Sequence, residues 1–372
     1  MTSVPPSARS DGRPPGAAPG PSPDSTPRAR GGAPVKAVRR GGRLGSGRGA
    51  ALARLVGRRA LAALPVLLGV SLLMFAIGAA SPFDPVHAYA GSAVFTASEE
   101  TLAQLRESFG VDRPWPAQWW DWFTGALTGD LGDSRALRQP VAQVIAERLG
   151  WSVLLAGVAF LLTLLLGLLL GTLAARRPGG LVDRAATSLS LTLSAAPAFW
   201  LALLAIWLFA LRLDWLPAGG LTDAGSTVVT PGQLVSHLTL PALVLAVSQT
   251  PWFTLFVRES LLAALEEDFV TGARARGLAP RTVLVRHALR SALLPFVTLV
   301  GSRVPELITG ALLVETVFSW PGVAGATVEA ALAVDFPLLA ALTLLATGAV
   351  LLGNLLADVL YGLVDPRTAL DG

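Results

Sequence analysis

The segment Asp268–Gly301, which reads DFVTGARARGLAPRTVLVRHALRSALLPFVTLVG, begins with a short charged stretch that lies between two long apolar runs. The run before it, Leu238–Val257, contains no charged residue, and the run after it, Ser291–Val314, contains only Arg303 and Glu306. A charged amphipathic stretch between two runs of this length predicts a helix that lies on a membrane surface. Such a helix is placed to meet a partner in the aqueous phase.

Composition extends this interpretation to the whole chain, because 52% of the residues are hydrophobic and only 15% are charged. A helix needs roughly 20 apolar residues to cross the hydrocarbon core of a bilayer. Backbone groups in lipid must be satisfied within the segment, which favours helices over strands. We therefore predict an all-α polytopic membrane protein with six transmembrane helices, in windows Ala60–Ala80, Trp151–Ala175, Ala185–Leu211, Leu238–Val257, Ser291–Val314 and Pro337–Ala357.

The distribution of basic residues predicts the orientation. Twelve of the 29 Lys and Arg precede the first window, and most of the others crowd the second-to-third and fourth-to-fifth connections. By contrast, residues 81–150 carry nine acidic and five basic residues. Because cytoplasmic loops are enriched in Lys and Arg, we expect both termini in the cytoplasm, in a multi-pass protein of the cell membrane surrounded by lipid.

Four regions follow from this pattern. Residues 1–50 form a basic Pro- and Gly-rich tail that we expect to be disordered. Residues 51–81 are the first transmembrane helix, since both the basic region and the apolar run are too long for a signal peptide. Residues 82–150 are an extracytoplasmic segment. Residues 151–368 are a core with five transmembrane helices and the short charged helix near 268–277.

The extracytoplasmic segment contains two predicted helices and a tryptophan cluster. Ser98–Phe109 has a capping serine and early acids, and Gly110 stops it. Asp112–Phe123 holds four tryptophans, which favour the membrane–water boundary; a site that stacks sugars or peptides is the alternative. Gln139–Leu149 is predicted to be an amphipathic helix that enters the second span.

Several classes of function are excluded by the sequence. The net charge of +4 is accounted for by the tail and the basic loops, so no nucleic-acid partner is expected. The chain has no cysteine, and its single lysine, Lys36, lies in the tail, so there is no phosphate-binding loop of the Gly-x-x-x-x-Gly-Lys-Ser/Thr type. We identify no catalytic residue, cofactor site or metal site, and predict that the chain is not an enzyme.

The charged stretch itself has the features of a helix–turn–helix. Three acids open the helix at Glu266–Asp268, Arg274 and Arg276 close it, and these charges complement the helix dipole. Gly277 suits a left-handed position after the helix, and Pro280 suits the first turn of the next one. A purely structural basic loop would show a similar pattern.

The residues of this stretch resemble the cytoplasmic coupling motif in membrane subunits of binding-protein-dependent ABC importers. The branch that includes dipeptide, oligopeptide and nickel permeases typically shows T-A-R-A-K-G and then H-A-L-R-N-A. Further similarities to that branch extend over residues 55–368. The matching segments are Gly272–Gly277, His287–Ala292, Phe109–Pro114, Gly129–Ser134, Glu315–Gly322, Asn354–Gly362 and Asp365–Arg367. Departures are Gly272, Ser291 and the Arg303–Glu306 cluster.

The resemblance implies the type I permease fold and a set of partners. These are a second permease subunit, two cytoplasmic ATPase subunits that bind the ATP, and an extracytoplasmic substrate-binding protein. Peptide-like substrates are expected, with nickel, glutathione-like compounds and oligosaccharides as alternatives. A secondary transporter or a membrane scaffold is the alternative of a different class. The residues expected to couple the permease to the ATPases are Asp268, Ala273, Arg274, Arg276, Gly277 and His287.

Three residues are assigned to the translocation path: Arg303, Glu306 and Asn354. Arg303 and Glu306 are three positions apart, so on one helix they share a face. Ionisable residues within a membrane usually line an aqueous path or pair with each other. A structural pair that faces another subunit is therefore the alternative. For His287, a metal-ligand or proton-relay role competes with a structural hydrogen bond.

Overall fold

The computed structural model describes residues 44–83, 85–90, 95–110, 112–226 and 228–364. Two strands, β1 (Asp133–Ser134) and β2 (Gln139–Pro140), form an antiparallel hairpin, and the rest of the regular structure is helical. The α-helices are α1 (Leu44–Ala80), α2 (Pro85–Ala90), α3 (Glu99–Phe109), α4 (Trp115–Thr128), α5 (Val141–Ala175), α6 (Leu181–Ala195), α7 (Ala198–Ala205), α8 (Pro231–Glu266), α9 (Asp268–Ala275), α10 (Pro280–Thr282), α11 (Leu289–Ser302), α12 (Val304–Val317), α13 (Val323–Leu332) and α14 (Phe336–Val364). Two π-helical segments are π1 (Ile206–Arg212) and π2 (Val283–Ala288).

The predicted apolar windows all fall on helices, but two of them are broken. Among the described residues, four helices are long and apolar enough to cross a membrane: α1, α5, α8 and α14. A fifth candidate is the pair formed by α6 with α7 and π1, which is bent by 105° at Ala196–Pro197. Proline removes a backbone donor and disfavours helical geometry in the residue before it, which explains the bend.

The window Ser291–Val314 is divided between α11 and α12, each of 14 residues. The break is at Arg303, and Pro305 lies in the first turn of α12. Each half alone is too short to span a bilayer. The all-α polytopic architecture is thus confirmed, whereas the count of six transmembrane helices stays a prediction.

Small residues allow α5 and α8 to pack closely. Buried positions recur about every fourth residue along α5, at Ala159, Thr163, Gly167 and Gly171. A Cβ added at Gly167 would lie 2.4 Å from the Cβ of Phe253 on α8. Small residues at this spacing let two helix backbones approach within a membrane. This seam is the centre of the fold.

The two helices run parallel, which fixes the two ends of the molecule. Thr163 on α5 contacts Ala246 on α8, and Gly171 farther along α5 lies against Val257 farther along α8. The β1–β2 hairpin precedes α5, while α9 follows α8. We call these two sides the hairpin end and the α9 end. The α5–α6 turn, Arg176–Gly180, therefore lies at the α9 end.

At the hairpin end, a buried aspartate joins the hairpin to the last membrane helix. Asp335 precedes α14 and accepts hydrogen bonds from the hydroxyl of Ser134 at 2.7 Å and the backbone N–H of Ala136 at 2.9 Å. Asp335 is fully buried. Because a buried carboxylate needs such donors, these bonds hold the hairpin against α14.

The two helices predicted within residues 82–150 are confirmed, one of them with a boundary change, whereas the placement of the tryptophans at the membrane–water boundary stays a prediction. Ser98 caps α3 through its hydroxyl, and Gly110 follows α3 in the left-handed conformation. Trp119 donates to Ser71 of α1 at 3.0 Å, so the tryptophan-rich helix α4 packs on the first span. The helix predicted for Gln139–Leu149 begins instead at Val141, because residues 139 and 140 pair with β1.

The first helix also begins earlier than predicted. The expected tail reaches residue 50, yet α1 starts at Leu44. Residues 50–63 are rich in Ala, Leu and Arg, which are strong helix formers, and the helix continues N-terminally from them through three glycines at positions 45, 47 and 49. Residues 1–43 and 365–372, with most of the predicted tail and the motif Asp365–Arg367, lie outside the described residues.

Candidate functional site

Helix α9 is anchored by two apolar side chains and exposes the rest of its surface. Val270 and Ala273 are fully buried, one turn apart, among residues of α8, π2 and α11. Asp268, Thr271 and Arg274 are exposed on the outer face. The helix is thus fixed to the membrane helices by one face while a charged face remains available to a partner.

Apolar side chains are mixed with the charges on this exposed surface. Phe269 on α9 is 43% exposed, and Leu278 and Val285 on the following turn and π2 are also exposed. Arginines at 274, 276, 281 and 286 in the same segment are exposed as well. Exposed apolar side chains together with arginine are typical of protein–protein contacts.

The turn after α9 depends on a left-handed glycine, as predicted. Gly277 has φ +78°, and its N–H donates to the carbonyl of Arg274 at 2.9 Å. Arg276 donates from its side chain to the carbonyl of Gly272 at 3.2 Å, which closes the last turn of the helix. Pro280 then starts α10 in a first-turn position. The predicted helix–turn–helix is confirmed.

His287 lies in π2, beyond this turn and apart from the exposed face of α9. Its side chain is half-buried, and its neighbour Ala288 is fully buried. Single π turns inside helices occur often at functional positions. The structure therefore places His287 outside α9, at a partly buried position of π2, and its role in coupling stays a prediction.

Arg303 and Glu306 form an ion pair at the break between α11 and α12. The Arg303 guanidinium also lies 4.1 Å from the ring centre of Trp252 on α8, a cation–π contact. Glu306 remains 53% exposed at its side chain. The two charges therefore pair with each other, and the assignment of either residue to the translocation path stays a prediction.

Asn354 is brought close to this break by the packing of α14. Its neighbour Gly353 is so near Val304 that an added Cβ would lie 2.8 Å from a methyl carbon of that residue. Asn354 itself is exposed. Asn354 thus follows the residue at which α14 contacts the start of α12, and its assignment to the path stays a prediction.

One charged contact at the α9 end was missed by the sequence analysis. Arg258 near the end of α8 donates to Asp183 near the start of α6, with Nη2 2.9 Å from Oδ2. The signal available in the sequence was weak, since each residue simply flanks an apolar window. Only the fold brings together two residues 75 positions apart.

A second missed contact lies at the hairpin end. The His237 ring on α8 has Nδ1 3.0 Å from the carbonyl of Gly219 and Nε2 3.2 Å from a carboxylate oxygen of Asp223. Gln233 also donates to Asp223 at 3.0 Å. The hydrogen bonds from Gln233 and His237 lower the pKa of the Asp223 carboxyl. They fasten the loop after π1 to α8.

Comparison with known proteins identifies the family. Residues 167–370 match the model of the binding-protein-dependent transport system inner membrane component, and residues 52–156 match the N-terminal model of these membrane components. The chain belongs to this family. The range matched by the first model includes the positions of α9 and of the Arg303–Glu306 pair.

Two relatives extend the comparison over most of the permease. The oligopeptide transport system permease protein AppB of Bacillus subtilis (strain 168) is 35% identical over 317 residues, which are 85% of this chain and 99% of AppB. A protein of Brucella suis biovar 1 (strain 1330), whose name describes a peptide permease, is 36% identical over 310 residues, 83% of this chain and 97% of its own length.

The family membership confirms the resemblance drawn from the motifs. The chain is a transport permease subunit and a multi-pass protein of the inner membrane. Subunits of this kind work with ATPase and substrate-binding partners, as the family's description implies. One of the motifs, Glu315–Gly322, now has a structural role. Its Trp320 is buried and donates to the carbonyl of Trp151, which closes α12 onto the start of α5.

Proposed function

We propose that this permease subunit imports di- and oligopeptides across the cytoplasmic membrane, driven by two ATPase subunits of which one docks on α9. The observation that carries the proposal is α9 itself, a short helix with two buried anchors and an exposed face of mixed charge and apolar side chains. The names of the similar proteins, which describe oligopeptide and peptide permeases, support the choice of peptides.

The anchoring of α9 suits it to transmit movement. Val270 and Ala273 pack on α8 and π2, so a displacement of α9 by a bound partner would be transmitted to those helices. Packed elements of this kind move as rigid bodies in transporters and switches. In the proposal, Asp268, Arg274 and Arg276 meet the ATPase, while Ala273, Gly277 and His287 hold the helix in place.

The substrate path is proposed to pass the junction of α12 and α14. Glu306 and Asn354 are exposed there, in a region otherwise built from apolar helices. Ionisable side chains at this depth are tolerated where water or a partner charge reaches them. Arg303, held between Glu306 and Trp252, would then offer a positive charge to the carboxylate of a peptide.

A second permease subunit, a second ATPase and an extracytoplasmic substrate-binding protein complete the proposed importer. ATP is bound and hydrolysed by the ATPases, and this chain has no catalytic role. Both termini and α9 are proposed to be cytoplasmic, with residues 82–150 outside, in agreement with the arginine distribution. Nickel, glutathione-like compounds and oligosaccharides are the competing substrates, and a secondary transporter without ATPases is the competing mechanism.

Reconstitution tests this proposal. The complete complex in proteoliposomes should accumulate dipeptides and oligopeptides only when ATP and the substrate-binding protein are supplied on the correct sides. Nickel, glutathione and an oligosaccharide serve as comparison substrates in the same vesicles. Accumulation of one of these in preference to peptides would reject the substrate. Peptide uptake by vesicles that contain the permeases alone, driven by an ion gradient, would reject the ATP-driven mechanism.

A further inference from the structure

The contact between Asp183 and Arg258 is a buried ion pair at the α9 end. The Asp183 side chain is 4% exposed and that of Arg258 is 19% exposed. The guanidinium donates through both Nε and Nη2 to the two carboxylate oxygens. Two parallel bonds of this kind fix the relative orientation of the two side chains as well as their distance.

The same carboxylate also organises the α5–α6 turn. The backbone N–H of Gly179 donates to Asp183 at 2.7 Å, and the Thr187 hydroxyl lies 3.4 Å from its other oxygen. Gly179 has φ +74°, so the turn is a tight one that an L side chain would strain. Asp183, on α6, is therefore bonded both to the α5–α6 turn and, through Arg258, to α8.

Arg258 stands on the helix that leads directly into α9. Only Glu267 separates the end of α8 at Glu266 from the start of α9 at Asp268. The pair thus lies about two turns of α8 away from the proposed ATPase-docking helix. Neither Asp183 nor Arg258 is among the residues that the sequence resemblance assigns to coupling.

We propose that the Asp183–Arg258 pair is a positioning contact that transmits the movement of α9 to the α5–α6 turn and hence to two further membrane helices. This inference rests on the proposed docking of an ATPase at α9. A buried charge pair suits the task because separating the two groups would leave the buried Asp183 carboxylate without its paired donors, so the pair stays closed as the helices move. Arg258 has a second contact, with the exposed Glu259, which does not join it to another helix. Apolar contacts alone would permit sliding.

The test uses the full complex of permeases, ATPases and binding protein in proteoliposomes. Peptide uptake and ATP hydrolysis are measured in the same vesicles for the unmodified complex and for Asp183→Asn. We expect the variant to keep its bound ATPases and to hydrolyse ATP, while peptide taken up per ATP falls by about 5-fold or more, in the range of typical coupling free energies. Arg258→Lys keeps the charge but loses the paired donors and should give a smaller loss.

The exposed pair of Arg113 and Asp121 at the hairpin end supplies a matched control. Asp121 is 53% exposed, and Asp121→Asn should leave the uptake per ATP unchanged. An unchanged ratio in Asp183→Asn, or loss of the bound ATPases, would overturn the positioning role. If Asp183→Asn does not insert, the ratio for Arg258→Lys decides in the same way. Failure of the unmodified complex to import peptides would instead reject the proposed function.

Discussion

Among the glycines at the contact between α5 and α8, Gly167 is the one where an added methyl group should be most destabilising. An alanine Cβ there would lie 2.4 Å from the Cβ of Phe253 and 3.3 Å from its carbonyl carbon. Favourable carbon–carbon contacts are about 3.5–4.0 Å, so the two backbones must separate by roughly 1 Å or more. Phe253 is fully buried and its Cβ cannot rotate away, because it is fixed to the backbone.

We expect Gly167→Ala to lower the free energy of unfolding by about 1–3 kcal/mol, the usual cost of an overpacked core. Gly157→Ala on the same helix is the matched control, since nothing lies within 4 Å of a Cβ added there. Alanine favours the helix over glycine by up to about 1 kcal/mol, so this control should be neutral or more stable. Thermal unfolding of the purified permease in detergent measures both. Equal stability of the two variants would refute the described packing.

Two further predictions concern the functional segments. Gly277→Val should lose peptide uptake while the permease remains inserted, because a β-branched residue at φ +78° costs about 1–2 kcal/mol and loosens the turn after α9. The control Gly272→Ala should keep its uptake, since there is open space around the added Cβ. Normal peptide uptake by Gly277→Val would count against the role of the turn. The double variant Arg303→Glu, Glu306→Arg exchanges the two charges and loses the cation–π contact with Trp252. Its peptide uptake should stay impaired, or its preference among peptides of different charge should change. Full uptake with unchanged preference in the double variant would show that the two residues form a structural pair only.

The sequence predicted the local features of this protein well because they depend on neighbouring residues. Capping by Ser98, the left-handed Gly110 and Gly277, and the first-turn Pro280 are each set by side-chain or backbone chemistry within one turn. The short helix Asp268–Ala275 was foreseen within two residues for the same reason. Its motif also identified the family.

Features that join distant segments could not be predicted from the sequence. Asp183 and Arg258 are 75 positions apart, and Ser134 and Asp335 are 201 apart, so no local pattern pairs them. Pro197 and Pro305 lie in the third and fifth windows, but the sequence did not decide between a kink and a complete break there. Proline is tolerated within membrane helices when neighbours satisfy the freed backbone groups, so its presence alone does not predict a break.

Protection of α9 by the ATPases tests the central claim most directly. The chain has no cysteine, so a single Thr271→Cys on the exposed face of α9 gives one labelling site, and Leu127→Cys, 72% exposed on α4, gives the control. A hydrophilic maleimide should label Thr271→Cys rapidly in the isolated permease and far more slowly in the assembled complex, with Leu127→Cys unaffected. Equal labelling of Thr271→Cys with and without bound ATPases would contradict docking at α9.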